Sequence, residues 1–382
     1  MTRFRHRDGS VVHLSYCSNV HQAEDVDGIV VQLARFAGPV RRALGWPRLG
    51  VGLWLPAKAA TELRDERTLD MLRSALDAEQ LDVVTLNGFP YEAFHAPVVK
   101  HAVYRPDWTE PARLDHTLEL ARLLHALLPE DADGGSISTL PLAWRKPWST
   151  EAQERAVRAL RRLADGLADL AEHAGRPVRV ALEPEPGCVV GTSVQAVDAL
   201  ADLAPDWIGL CLDACHLAVE FEDPAEAVQR AVDRGVPIVK AQVSSALRVP
   251  HPRAEDAVAE FAEPRFLHQT RERIDGRVVG VDDLDAALDG GLPGDSEWRV
   301  HFHVPVHAGG PRTTQAELLG TLAALVGGPA AVTTHLEVET YTWSVLPEAQ
   351  RPRDDDGLVQ GLTRELEWTR DRLEEFGLKE ET

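Results

Sequence analysis

Two strand-like runs near the centre of the chain each end in an acid. The run Val178–Glu183 ends in Glu183, and the run Ile208–Asp213 ends in Asp213. Apolar runs of this length are typical of buried parallel strands, and a carboxylate at the C-terminal end of such a strand lies where α/β barrels build their active sites. Because a helical pattern separates the runs, we expect the two carboxylates side by side at the mouth of a barrel. There they could bind one divalent metal ion.

The last strand-like segment, Val332–Glu339, has a polar face. Thr333, His335, Glu337 and Glu339 share this face because side chains of a strand alternate with a period of two. In a barrel strand the face would point inward, where charged groups are costly to bury unless they meet partners or a cation. The pattern therefore favours a site, and the alternative interpretation is a ladder of salt bridges with arginines.

The segment Ile238–Val243 carries Lys240 and Gln242 on one face, and Arg248 follows it. A glutamine oxygen is a neutral metal ligand, weaker than imidazole or carboxylate. Arg248 suits a phosphate or a hydroxyl-rich substrate. Lys240 is a further candidate for contact with substrate. The alternative is that Gln242 only forms hydrogen bonds inside the barrel.

Alternating histidines mark the segment Arg299–Val306. His301, His303 and the following His307 lie on one side of it, and neutral imidazoles there could bind a metal ion. The alternative is a wall of hydrogen-bonded histidines. We single out His303 as a metal ligand.

Polar and aromatic residues follow two other predicted strands. Asn87 lies in the turn Leu86–Tyr91, and residues 16–21 follow the first strand. Both segments could form walls for a polar ligand, with Asn87 as a substrate contact. The alternative is ordinary loop packing.

Short apolar runs alternate with longer helical patterns along the chain, which is typical of a βα architecture. The predicted strands are Val11–Cys17, Leu49–Leu55, Val83–Leu86, Ser136–Leu140, Val178–Glu183, Ile208–Asp213, Ile238–Val243, Arg299–Val306 and Val332–Glu339. The predicted helices lie around residues 22–45, 58–79, 111–128, 150–174, 192–204, 224–234, 314–326 and 356–375.

A closed (β/α)8 barrel has eight strands, and the sequence predicts one more. The long interval between Val243 and Val332 indicates that the surplus strand belongs to an insertion, at about residues 250–310, that follows the seventh strand. This insertion contains a predicted β-hairpin with its turn at Asp275 and Gly276, which we place over the barrel mouth. We expect a single α/β domain over residues 1–382, with a frayed acidic tail from about residue 374.

Composition limits the classes of function and the cellular environment that we expect for this chain. The formal net charge is −21, which argues against nucleic-acid binding. The chain shows no apolar run long enough to span a bilayer and no leader-like start, so we expect a cytoplasmic protein that does not itself cross a membrane. Its four cysteines lack zinc-finger or CxxC spacing, and we expect reduced thiols.

The motif Leu212–His216, with Glu183 before it and Gln242 and Arg248 after it, resembles the xylose isomerase-like TIM barrels. These include sugar epimerases, inosose dehydratases and endonuclease IV type repair enzymes. The resemblance implies a divalent metal ion, Mn²⁺, Mg²⁺ or Zn²⁺. Its implied ligands are Glu183, Asp213, Glu339 and a seventh-strand group, either Gln242 or His303, with Gln242 favoured on the strand itself and His303 reaching in from the insertion. His216 and Arg248 would contact substrate.

Four segments are similar to the EboE family, and the likeness runs through nearly the whole chain. They are Leu14–His21, Thr85–Tyr91, Gly135–Pro141 and His335–Trp343. This resemblance implies a role in metabolite traffic beside a membrane protein resembling UbiA-type prenyltransferases. It implies no particular reaction.

These features predict a metal-dependent isomerase or epimerase of a sugar, a sugar phosphate or a polyol. The metal ion would chelate neighbouring oxygens of a hydroxy-ketone, while Glu183 and Glu339 act as base and acid in a 1,2-proton transfer. The alternative is a barrel that binds a small polar metabolite and hands it over without turnover. Phosphodiester hydrolysis on DNA is disfavoured by the acidic charge.

Overall fold

The computed structural model describes residues 2–254 and 256–381. The strands are β1 (Arg3–Arg5), β2 (Val11–Cys17), β3 (Leu49–Trp54), β4 (Leu81–Asp82), β5 (Thr85–Asn87), β6 (Gly135–Thr139), β7 (Val178–Leu182), β8 (Ile208–Asp213), β9 (Ile238–Val243), β10 (Ala246–Val249), β11 (Thr270–Ile274), β12 (Arg277–Val281), β13 (Trp298–His303), β14 (His335–Val338) and β15 (Lys379–Glu381). The α-helices are α1 (Val26–Gln32), α2 (Gly38–Leu44), α3 (Ala57–Glu62), α4 (Glu66–Ala78), α5 (Pro111–Leu127), α6 (Thr150–Ala174), α7 (Ser193–Leu200), α8 (Ala214–Val219), α9 (Pro224–Asp233), α10 (Leu284–Ala286), α11 (Gln315–Val326) and α12 (Asp355–Glu375).

Eight parallel strands close into a barrel. Their order is β2, β3, β5, β6, β7, β8, β9 and β14, and pairing of β14 with β2 completes the ring. Helices follow most strands and cover the outside, with apolar faces such as that of α6 packed on the barrel. The predicted (β/α)8 fold is confirmed, and β9 is its seventh strand. None of the helices in the described residues is long and apolar enough to cross a bilayer.

The segment between β9 and β14 forms a second sheet. Strands β10, β13, β11 and β12 lie in that order and pair antiparallel. The predicted hairpin is confirmed: Asp275 and Gly276 both have positive φ, at 49° and 77°, as a tight two-residue turn requires. The surplus predicted strand is β13 of this inserted sheet.

The C-terminal tail is paired. Helix α12 continues to Glu375, the chain turns at Gly377 with φ at 90°, and β15 then pairs antiparallel with β1. The prediction of a frayed tail is wrong, because the backbone of Lys379–Glu381 finds hydrogen-bond partners in Arg3–Arg5 at the other end of the chain.

Polar groups fill the interior of the barrel below its mouth. Lys240 Nζ lies 2.6 Å from Glu337 Oε2, and both side chains are fully buried. Burial alone would lower the pKa of Lys240, but the carboxylate of Glu337 raises it above its ordinary value. Gly52 makes room for this pair, since a Cβ there would lie 1.4 Å from Glu337 Oε1. The salt-bridge interpretation of the last strand therefore holds for Glu337, with a lysine instead of an arginine.

Replacing Lys240 with methionine (K240M) leaves the carboxylate of Glu337 buried without its cation. We expect the free energy of unfolding, measured with urea at pH 8, to fall by about 3–5 kcal/mol. The double variant K240M/E337L removes both charges and should recover most of the loss. Equal destabilisation of the single and double variants would contradict a dominant charge effect.

Candidate metal centre

Three carboxylates meet at the C-terminal end of the barrel. Glu183 follows β7, Asp213 ends β8 and Glu339 follows β14, and one oxygen from each lies within 4.8 Å of the others. All three side chains are buried. Parallel neighbouring strands end at the same edge, so acids from distant parts of the sequence are brought together.

Neighbouring groups orient these acids. Asp213 Oδ1 accepts from the backbone N–H of His216 at 2.9 Å and from Ser244 Oγ at 2.8 Å. Glu339 Oε1 accepts from the side-chain amides of Asn19 and Asn87, each at 2.7 Å. The acids are therefore held in place before any ligand enters.

Burial and mutual repulsion raise the pKa of two of the three acids. Desolvation and the charge of Asp213 raise the pKa of Glu183 well above its ordinary value. Desolvation and the charges of Glu183 and Asp213 do the same for Glu339. Such a group can be stabilised by protons or by a bound cation, and a divalent ion would reverse these shifts.

His303 comes to the acids from the inserted sheet. Its Nδ1 donates to the backbone oxygen of Glu339 at 2.7 Å, which leaves a lone pair on Nε2. That Nε2 lies 3.9 Å from Asp213 Oδ2. The imidazole is thus fixed in the tautomer that a metal ligand needs.

The unpaired atoms fit a divalent cation. Within the described residues, Glu183 Oε2, Asp213 Oδ2 and His303 Nε2 are buried and have no hydrogen-bond partner. Buried polar atoms of this kind are costly unless something satisfies them. Carboxylate oxygens with one imidazole nitrogen suit Mn²⁺, Zn²⁺ or Mg²⁺.

Gln242 lies on β9, where its Cα pairs with those of Asp213 on β8 and Glu337 on β14. The side chain is buried, and neither of its amide atoms has a hydrogen-bond partner in the part of the chain that the structure describes. The seventh strand thus carries glutamine, while the imidazole of His303 comes from β13.

His216 lines the cavity beside the acids. Its Nδ1 donates to the backbone oxygen of Pro184 at 2.8 Å, and its Nε2 lies 3.0 Å from Nε2 of His301. Burial lowers the pKa of both rings.

A polar wall that sequence reasoning missed continues from His301. His301 Nδ1 lies 2.7 Å from the amide oxygen of Gln269, and Gln269 Nε2 donates to Tyr104 Oη at 3.0 Å. Tyr104 donates to Glu185 Oε1 at 2.6 Å. Burial raises the pKa of Glu185 to about 8, although the hydrogen bonds from Tyr104 and Gln269 lower it. The available signal was a second acid two residues after Glu183.

Two predicted substrate contacts lie elsewhere. Arg248 pairs with Glu297, with Nε 2.6 Å from Oε2, and is not among the residues that line the cavity. Lys240 lies beneath the site, where its ammonium neutralises Glu337. The structure therefore does not bring either cation to the cavity. His307, which shared a predicted face with His303, stacks on Trp343 with the two ring centroids 6.4 Å apart.

The cavity above the acids encloses about 520 Å³ of space, including space open to solvent. Its aromatic lining consists of Phe89, Phe94, Tyr104, Phe266 and Tyr341. Phe266 belongs to the insertion, so the inserted segment contributes to the cavity, as expected.

Glu365 on α12 connects the two loops that carry the site. Its Oε1 accepts from Thr340 Oγ1 at 2.6 Å and from the backbone N–H of Val306 at 3.1 Å, and its Oε2 accepts from Trp343 Nε1 at 3.1 Å. Thr340 follows Glu339, and Val306 lies three residues after His303. Burial raises the pKa of Glu365 to about 7.

Glu365 should make stability depend on pH. Because folding raises its pKa, the protonated carboxyl stabilises the folded state at low pH, and this contribution is lost as the pH rises through about 7. The wild type should therefore lose on the order of 2 kcal/mol relative to the variant E365Q between pH 5 and pH 8, in urea unfolding. A pH-independent difference between the two proteins would contradict this expectation.

A sequence profile of the xylose isomerase-like TIM barrel family matches residues 49–279. The match covers more than half of the chain, and the closed barrel agrees with it. The chain belongs to the xylose isomerase-like TIM barrel family. No curated protein sequence matches the chain.

Solved structures with the same fold are distant in sequence. The IOLI protein with a bound zinc atom has a TM-score of 0.52 and 14% identity, covering 95% of this chain and 99% of its own. D-psicose 3-epimerase from Clostridium cellulolyticum H10, solved with D-tagatose, has a TM-score of 0.51 and 13% identity, with coverages of 94% and 99%. A xylose isomerase-like TIM barrel protein from Mycobacterium smegmatis, solved with magnesium, has a TM-score of 0.50 and 12% identity, with coverages of 93% and 98%.

Proposed function

We propose that this protein is a divalent-metal-dependent isomerase or epimerase of a sugar-like hydroxy-ketone. The observation that carries the proposal is the set of buried ligand atoms on Glu183, Asp213 and His303, unpaired within the described residues, beside the carboxylate of Glu339. The solved structures that contain zinc, magnesium or D-tagatose in the same fold support it.

Glu183, Asp213, His303 and Glu339 would hold the metal ion, and Gln242 offers a neutral amide oxygen as a further ligand. When bound, the ion supplies Lewis acidity that polarises a substrate carbonyl and stabilises negative charge on its oxygen. This centre differs from an ordinary buried salt bridge, because the acidic side chains that act on Glu183 and Glu339 outnumber the cationic ones.

Glu183 and Glu339 would move the proton. They follow β7 and β14, which are separated in the barrel by β8 and β9, so their carboxylates reach the substrate from different directions. One carboxylate removes the proton next to the carbonyl, and the other returns a proton to the neighbouring carbon or to the opposite face. Asn19 and Asn87 keep Glu339 oriented for this task, and His216 and Asn87 would contact the substrate hydroxyls.

Metal affinity tests the ligand set. Removing the imidazole with H303A should weaken Mn²⁺ or Zn²⁺ binding at least about 100-fold in isothermal titration calorimetry, because a ligand should matter at least as much as its supporting partners. His307 follows the same strand but stacks on Trp343, so H307A is the matched control and should bind metal as the wild type does. Unchanged affinity in H303A would remove His303 from the site.

Isotope exchange tests the reaction. With metal bound, the protein should exchange a substrate C–H for solvent deuterium across a panel of ketoses, as followed by NMR. The variant E339Q should reduce exchange by at least about 100-fold, since a proton-transfer group contributes 10²–10⁴-fold. Metal-loaded wild-type protein that exchanges no member of a broad panel would contradict the proposal.

A second candidate is a barrel that binds a metabolite and hands it over, in association with a membrane prenyltransferase-like partner. It is favoured by the neutral Gln242 on the seventh strand and by the EboE-like segments. Under this hypothesis E339Q would retain ligand binding, and the wild type would show no turnover. The same isotope experiment, paired with a binding measurement, separates the two functions.

A further inference from the structure

We propose that the cavity selects an uncharged, polyhydroxylated substrate, such as an unphosphorylated ketose, and disfavours sugar phosphates. This inference rests on the proposed function and concerns the same site. It follows from an account of the charges and hydrogen-bond donors that line the cavity.

The cationic side chain that lines the cavity in the described part of the chain is already neutralised. Among the described residues, Lys100 is the one lysine or arginine that lines the cavity, and its Nζ forms an ion pair with Asp283. Asp283 belongs to the inserted segment between β12 and α10, so the insertion masks this charge. A phosphate group would therefore meet no uncommitted cation.

Three of the side-chain donors are committed as well. The amides of Asn19 and Asn87 both donate to Glu339. Tyr104 donates its hydroxyl proton to Glu185. A phosphate needs several donors, because its oxygens accept strong hydrogen bonds and replace a large hydration shell. Binding it to these three side chains would require their internal hydrogen bonds to break.

The cavity instead offers acceptors and apolar faces. Asn19 Oδ1 is buried and lacks a hydrogen-bond partner among the described residues. Phe94, Phe266 and Tyr341 form an aromatic cluster with ring centroids 4.9–5.3 Å apart. Hydroxyl groups can donate to the free acceptors, while the C–H face of a sugar packs on the rings. The acidic cluster adds repulsion against a phosphate dianion.

The test is binding to the Mg²⁺-loaded wild-type protein, measured by calorimetry for D-fructose and D-tagatose and for their 6-phosphates and inorganic phosphate. We expect at least one free ketose to bind at least about tenfold more tightly than its phosphate. Equal or tighter binding of a 6-phosphate would overturn the inference, and so would the absence of binding by both free ketoses.

A charge variant tests the mechanism of selection. D283N removes the partner of Lys100 but keeps a side-chain oxygen for the backbone N–H of Leu284 and His268. It should gain at least about tenfold in affinity for fructose 6-phosphate. The matched control is D282N, which makes the same charge change at a residue paired with Arg145 and should gain nothing. No gain in D283N, or equal gains in both variants, would overturn the role of the masked lysine.

The two proposals can fail separately. Deuterium exchange into a ketose phosphate but not into free ketoses would overturn the substrate class and leave the isomerase function standing. Binding of free ketoses without any deuterium exchange would overturn the isomerase function and leave the substrate class standing.

Discussion

The structure depends on one electrostatic constraint: closing the barrel buries the carboxylates of Glu183, Asp213 and Glu339 within 4.8 Å of one another. Each costs free energy to remove from water, and each repels the others. Asn19 and Asn87 donate hydrogen bonds to one carboxylate oxygen of Glu339. Carboxylate oxygens on Glu183 and Asp213 nevertheless remain unpaired within the described residues. A divalent cation resolves this conflict, and the same cation would provide the Lewis acid of the proposed reaction.

In the proposed metal site, the inserted sheet adds a ligand to those of the barrel. The seventh barrel strand carries Gln242, and the imidazole that we propose as a metal ligand belongs to His303 on β13. Its position is fixed by the hydrogen bond to the backbone of Glu339, and Glu365 connects the loops after both residues. Because the insertion also masks Lys100 with Asp283, one segment would set both the metal ligands and the preference for uncharged substrates.

The sequence predicted the barrel, the hairpin and the three clustered acids, because strand length, alternation and turn residues are local signals. It could not show that Arg248 pairs with Glu297 and Lys240 with Glu337, because these partners are 49 and 97 residues away in the sequence. It also missed the wall formed by residues such as Gln269, and it predicted a frayed tail in place of β15. Each error concerns a contact between distant segments, which no local pattern records.

The most direct measurement is anomalous diffraction from crystals of the protein soaked with Mn²⁺ or Zn²⁺. The account predicts one strong anomalous peak at the barrel mouth, at coordination distances of about 2.0–2.3 Å from oxygens of Glu183, Asp213 and Glu339 and from Nε2 of His303. The absence of a peak there at saturating metal, with the carboxylates left as they are, would contradict the central claim.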